Sequence, residues 1–115
     1  EDMRWIEAGP VVAFAGIGNP RRFFDMLPQL GGTVAEAIAF RDHQQLSEAD
    51  AMRVLTAARR HSATIVTTEK DLARLAGAGG ACGELRAASR PVPKRTKPIG
   101  MATPDGSKMY QRPPR

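Results

Sequence analysis

Asp42 and His43 stand side by side in a polar stretch. Histidine titrates near neutral pH and can act as a general base, or as the partner that orients and polarises one. An adjacent aspartate can hold its tautomer, although sequence neighbours often point apart. The plain alternative is an ordinary exposed loop, and both residues are carried as catalytic candidates. A second group follows Thr67: Thr68, Glu69, Lys70 and Asp71. Lys70 can contact a phosphate, and Glu69 or Asp71 a metal or a hydroxyl. The alternative is an N-capped helix with a charged first turn. A third group is Gly16-Ile-Gly-Asn-Pro20. Bare amides at a helix start attract anions, so Gly16, Gly18 and Asn19 are phosphate-facing candidates, against a simple tight turn. The loop is not a Walker A motif, since no Gly-Lys-Ser/Thr follows, and it lacks the third glycine of a dinucleotide fingerprint. Arg21 and Arg22 early in the following helix oppose its dipole, which fits either an anionic ligand or a solvated face.

Other reactive types offer less. Cys82 is the one cysteine, so no disulfide forms within the chain, and no cysteine-based zinc site is expected. With no histidine near it in sequence, it reads as an inert thiol. His61, beside Arg59 and Arg60, reads as a solvated helix C-terminus favoured by the dipole.

The elements that position these groups alternate. Val11–Ala15 reads as a buried parallel strand. Asn19 caps a helix with Pro20 in its first position, Phe23, Phe24, Leu27 and Leu30 on its apolar face, and Gly31-Gly32 at its end. Thr33–Phe40 is a second strand, and Arg41–Leu46 a polar connection. Ser47 caps a helix with Ala51, Val54, Leu55 and Ala58 as its stripe. Ala63–Thr68 is a third strand, and Thr68 caps a short helix through Leu75. The order βαβαβα predicts an α/β fold, a three-layer parallel sheet with right-handed crossovers. Active groups in such sheets gather at the strands' carboxyl ends. All three groups above fall on that rim.

Beyond Leu75 the pattern collapses. Residues 77–83 are Gly/Ala-rich, and residues 86–115 hold 6 of the 9 prolines. Such composition cannot offset ordering entropy by burial, so residues 77–115 are expected to be a disordered basic tail, an expression remnant or a translated frameshift. The charge follows the same division. Residues 1–85 carry 9 Lys and Arg against 11 Asp and Glu, a net of −2. Residues 86–115 carry 8 against 1, a net of +7, and the two together make the chain's +5. The basicity thus belongs to the tail. With only Tyr110 as an aromatic there, it is no stacking platform for single strands, and no nucleic-acid partner is expected.

Three blocks carry a resemblance. They are Ala13-Phe-Ala-Gly-Ile-Gly-Asn-Pro-Arg-Arg-Phe-Phe24, then Phe40-Arg-Asp-His-Gln44 with Ser47-Glu-Ala-Asp50, then Val66-Thr-Thr-Glu-Lys-Asp71 with Arg74 and Leu75. In order and wording they resemble the C-terminal half of the tetraacyldisaccharide 4'-kinases over residues 10–76. The resemblance implies the C-terminal lobe of a P-loop kinase of lipid A synthesis. Such an enzyme uses ATP and Mg²⁺ to phosphorylate the 4'-hydroxyl of an acylated glucosamine disaccharide 1-phosphate. It works at the cytoplasmic face of the Gram-negative inner membrane, bound peripherally. His43 matches the histidine of the family's Phe-x-Asp-His motif, the proposed partner of a catalytic aspartate near the Walker A loop. That loop and aspartate belong to the N-terminal half, so residues 1–9 are expected to be a linker from a missing P-loop domain, and the chain a fragment inactive alone. Two departures stand out. Arg41 replaces a usual proline, which predicts a less rigid loop. The strand and closing helix expected after Asp71 are not evident. Two alternatives remain: a non-catalytic α/β remnant, and a basic-tail module for anionic lipid or nucleic acid.

Overall fold

The structure is a computed structural model that describes residues 4–42 and 44–92. A short 3-10 turn, Arg4–Glu7, leads into strand β1, Pro10–Ala15. Then come helix α1 (Pro20–Gln29), strand β2 (Thr33–Ala39), helix α2 (Glu48–His61), strand β3 (Thr64–Thr68) and helix α3 (Glu69–Arg74). Helix α4 (Gly80–Ala88) and strand β4 (Ser89–Val92) complete the described chain. The sheet order is β2-β1-β3-β4 and every pairing is parallel.

The predicted α/β architecture is present, and its cause is visible along β1. Val12 and Phe14 point to one face, where they pack with Ile38, Val54, Leu55, Ile65 and Leu85. Val11, Ala13 and Ala15 point to the other, against Ile6, Phe23, Leu27 and Leu30. A strand buried on both faces has no polar alternation, which is why it reads as a continuous apolar run. Helix α1 starts where Asn19 accepts the Arg22 amide at 3.3 Å, with Pro20 in the first turn. It ends at Leu30, followed by Gly31 at φ 96°, a left-handed conformation that suits glycine. Helix α2 begins with a reciprocal box: Ser47 Oγ accepts from the Asp50 amide, and the Asp50 carboxylate accepts from the Ser47 amide.

Residues 80–92 correct the expectation of a structureless segment from 77 onward. Helix α4 buries Ala81 and Leu85 against α2, and β4 pairs with β3 from Ile65↔Ser89 to Thr68↔Val92. A helix and a strand thus do follow Asp71. Their local signal is weak for physical reasons. The α4 N-cap, Gly79, has no side chain; instead the Glu48 carboxylate of α2 accepts the Ala81 amide at 2.9 and 3.2 Å. Gly83 is required by close approach, since a Cβ there would lie 2.6 Å from the Ala78 carbonyl. Pro91 is tolerated because β4 is an edge strand, with no neighbour beyond it among the described residues. The 93–115 part of the expected tail and the residues 1–3 of the expected linker lie outside the described residues.

Candidate functional site

The carboxyl ends of β1 and β2 meet through a backbone contact, and side chains following β3 join them. The Phe40 amide donates to the Ala15 carbonyl at 2.8 Å. A Cβ on Gly16 would sit 3.4 Å from the Arg41 carbonyl and 3.4 Å from Asp71 Oδ1, and one on Gly18 would sit 3.4 Å from Asp42 Oδ2. Small residues here let the β1 loop lie directly against the β2 loop. Asp42, Gly16 and Gly18 are therefore brought together, as the rim placement predicts. His43 lies outside the described residues.

Asp71 holds this junction from the α3 side. It is 6% exposed. Its Oδ1 accepts the Gly16 amide at 3.1 Å, and its Oδ2 accepts the Thr68 hydroxyl at 2.7 Å. Thr68 Oγ1 in turn accepts the Asp71 amide at 3.0 Å, capping α3. Arg74 lies 3.7 Å from Asp71 Oδ1 and donates from Nη1 to the Gly16 carbonyl at 2.9 Å. Both backbone groups of Gly16 are thus captured by α3. The Gly16 amide faces a carboxylate, so it is not offered to a phosphate. Asn19 and Thr68 both act as helix caps. Glu69 and Lys70 are exposed in the first turn of α3.

The turn around Asp42 is closed by Gln44. The Gln44 amide donates to the Arg41 carbonyl at 2.9 Å, and Gln44 Oε1 accepts the Arg41 amide at 2.9 Å. Gln44 Nε2 donates to Asp50 Oδ2 at 3.1 Å. A proline at position 41 would have no N–H to give. Arg41 uses that donor to close the turn, so its replacement of proline does not leave the loop untethered. The Ser47 amide, against some burial, holds the Asp50 carboxyl below its ordinary value, with further help from the Ser47 hydroxyl, Gln44 and Arg53.

A cavity of about 300 Å³ opens beside the junction, between Phe14 and Phe40 below and Gln44, Leu46, Asp71 and Arg74 around it. Cys82 also lines it. Burial first, then the charges of Glu48 and Asp50, push its thiol above the ordinary range, which disfavours the thiolate. His61 is less solvated than expected. Its ring, 32% exposed, places Nε2 3.2 Å from Glu36 Oε1, which Arg60 also reaches at 3.3 Å. A bulge between Val11 and Val12 shifts the β1–β2 register, so Val11 pairs with Val34 and Val12 with Glu36. Sequence reasoning missed Gln44, Asp50 and Arg74 as parts of this rim. The only local signal was that Arg74 stands one helical turn after Asp71.

Comparison with known proteins gives matches within one family. The family described as tetraacyldisaccharide-1-P 4'-kinase matches residues 1–96. A tetraacyldisaccharide 4'-kinase of Parvibaculum lavamentivorans is 51% identical over 71 residues, covering 62% of this chain and 21% of that protein. One of Hyphomonas neptunium is 48% identical over 67 residues, 58% of this chain and 20% of the relative. One of Nitrobacter hamburgensis is 55% identical over 65 residues, 56% of this chain and 19% of the relative. No solved structure matches the chain at a significant level. The chain spans about a fifth of the length of these curated relatives. The matched stretch, residues 1–96, takes in α4 and β4 as well as the rim loops, and the chain belongs to the tetraacyldisaccharide-1-P 4'-kinase family.

Proposed function

We propose that the chain is the acceptor-side lobe of a lipid A biosynthesis kinase. The reaction is transfer of the ATP γ-phosphoryl group to the 4'-hydroxyl of an acylated glucosamine disaccharide 1-phosphate. The observation that carries this reading is the turn between Arg41 and Gln44, tethered at the carboxyl rim beside Gly16 and Gly18, in a chain of this family.

Phosphoryl transfer asks for positioning and charge stabilisation more than covalent chemistry, with an aspartate-type base taking the hydroxyl proton. Asp42 and His43 are the groups this lobe presents for that task. His43 orients the base and stabilises the charge that develops on it, and Asp42 supports His43. The base itself and the triphosphate cradle are assigned to the rest of the family protein, because the 115 residues contain no Gly-x-x-x-x-Gly-Lys-Ser/Thr. The Gly16 amide, capped by Asp71, does not fit a nucleotide phosphate. Mg²⁺, when bound, would offset the negative charge of the phosphates. Among the described residues no group of three or more His, Cys, Asp or Glu gathers to hold it. The reading includes peripheral attachment at the cytoplasmic face of the inner membrane. No helix among the described residues is long and apolar enough to cross a membrane.

The test is made in the family-length protein containing this chain. His43→Ala lowers turnover roughly 10²–10⁴-fold, the scale of a positioned acid–base group, with ATP affinity unchanged. His61→Ala leaves turnover near wild type, because that ring, at the C-terminal end of α2, is bound to Glu36 in the middle of β2 rather than to the rim loops. Near-wild-type turnover in His43→Ala, or a loss confined to ATP binding, would sink the reading.

A further inference from the structure

We propose that the first turn of helix α1 and the loop before it dock this lobe on an anionic bilayer surface, through Arg21 and Arg22; the inference rests on the acceptor-side reading above. Helix α1 starts at the carboxyl end of β1, an inner strand of the sheet, so its first turn stands on the rim. Both arginines are exposed there. Neither side chain has an ion pair or hydrogen bond among the described residues, and the first turn of α1 holds no acid. Asp25, exposed one turn further on, is not paired with either. Other arginines of the lobe are committed: Arg59 to Glu84, Arg60 to Glu36, and Arg74 to Asp71 and the Gly16 carbonyl.

The helix gains nothing from these two charges. Cations beside the positive end of a helix dipole are unfavourable. Asn19, which accepts the Arg22 amide, and Pro20 start α1 without any help from the guanidiniums. Their surroundings indicate the class of partner. Ile17 lies in the loop leading into α1, and Phe24 stands one turn after Arg21. Both are half-buried: they pack against the core beneath α1 and keep part of their surface in solvent. Cations beside partly exposed apolar groups suit a lipid–water boundary, where guanidiniums meet headgroup phosphates and apolar side chains meet the acyl region. A bilayer is also where the acceptor of the proposed reaction is held by its acyl chains. The rim has to meet that surface to reach a 4'-hydroxyl.

The experiment measures sedimentation of the family-length protein with vesicles of phosphatidylcholine alone and of phosphatidylcholine mixed with phosphatidylglycerol. Arg21→Gln combined with Arg22→Gln is expected to weaken partitioning onto the anionic vesicles roughly 20- to 30-fold, about fivefold for each basic group near such a surface. The difference narrows as added salt screens it, and phosphatidylcholine vesicles show none of it. The melting temperature stays the same or rises, because the lost charges opposed the dipole. Turnover and acceptor KM in neutral detergent micelles keep their wild-type values, whereas turnover on acceptor carried in anionic vesicles falls. Arg59→Gln with Arg60→Gln removes the same charge from the last turn of α2, at the opposite rim, and leaves partitioning near wild type. Wild-type partitioning in the Arg21 and Arg22 variant overturns the docking, as does an equal loss in the Arg59 and Arg60 variant. So does a loss of turnover in neutral micelles, which would put the arginines on the acceptor's own phosphate. A lower melting temperature with a changed ATP KM also overturns it, by placing this turn beneath the rest of the family protein. Each of these leaves the acceptor-side reading standing if His43→Ala shows its expected loss. Wild-type turnover in His43→Ala overturns the reading and this inference with it.

Discussion

Asp71 is a charged side chain placed almost wholly inside the fold, and each of its oxygens has a partner. Removing it takes the acceptor away from the Gly16 amide and from the Thr68 hydroxyl proton, and removes the contact between Asp71 and Arg74. Asp71→Ala is therefore expected to cost about 1–3 kcal/mol or more in urea unfolding, the penalty for a buried group left unpaired. Asp71→Asn, which keeps an acceptor for Gly16, should cost less. Equal midpoints for wild type and Asp71→Ala would show that the clamp bears no load. Asp50 makes a pH prediction. Its folded-state carboxyl lies below its ordinary value, so its stabilising contribution is present above the unfolded value of about 3.9. It is lost as pH falls through the lower folded value. The advantage of wild type over Asp50→Asn, present at neutral pH, should disappear in acid unfolding below about pH 4. An advantage that persists undiminished to lower pH would contradict the assignment.

Among the elements, α4 and β4 are the ones whose contribution sequence patterning undervalues. Leu85 is fully buried between α4 and α2, so Leu85→Ala should cost about 2–5 kcal/mol, as for other deep leucines. Gly83→Ala should also destabilise, because its Cβ would meet backbone rather than a movable side chain. If both variants unfold at the wild-type midpoint, the α4–β4 unit does not pack on the sheet. Helix α2 offers a smaller test. Ser47→Ala loses the cap and should cost about 1 kcal/mol, while Ser47→Gly should cost only a few tenths. The Arg59–Glu84 pair between α2 and α4 is more than half exposed on both sides and should contribute little.

At the scale of the whole molecule, the division of labour is itself testable. The purified 115-residue chain should show no ATP-dependent phosphorylation of the lipid acceptor, since nothing in its sequence matches a triphosphate-binding loop. Steady turnover by this chain, followed with labelled ATP, would overturn the two-lobe scheme. The α/β class, the parallel sheet and the rim location of Asp42, Gly16 and Thr68 were legible in sequence alone. Period and caps are local properties: a double-faced strand reads as an apolar run, and Asn19, Ser47 and Thr68 sit where helix starts need an acceptor. What only tertiary structure decided are the contacts between residues far apart in the chain. Asp71 reaches Gly16 across 55 positions, Glu48 supplies across 33 the cap that Gly79 cannot, and these make a Gly/Ala stretch into a packed helix. Gln44 reads in sequence as one more polar loop residue. Only the folded arrangement, in which Arg41 and Asp50 lie on either side of its amide, gives it a role. The physical reason is common to all three: a hydrogen-bonding side chain announces its capacity in sequence, but its partner is fixed by which elements the core packs together.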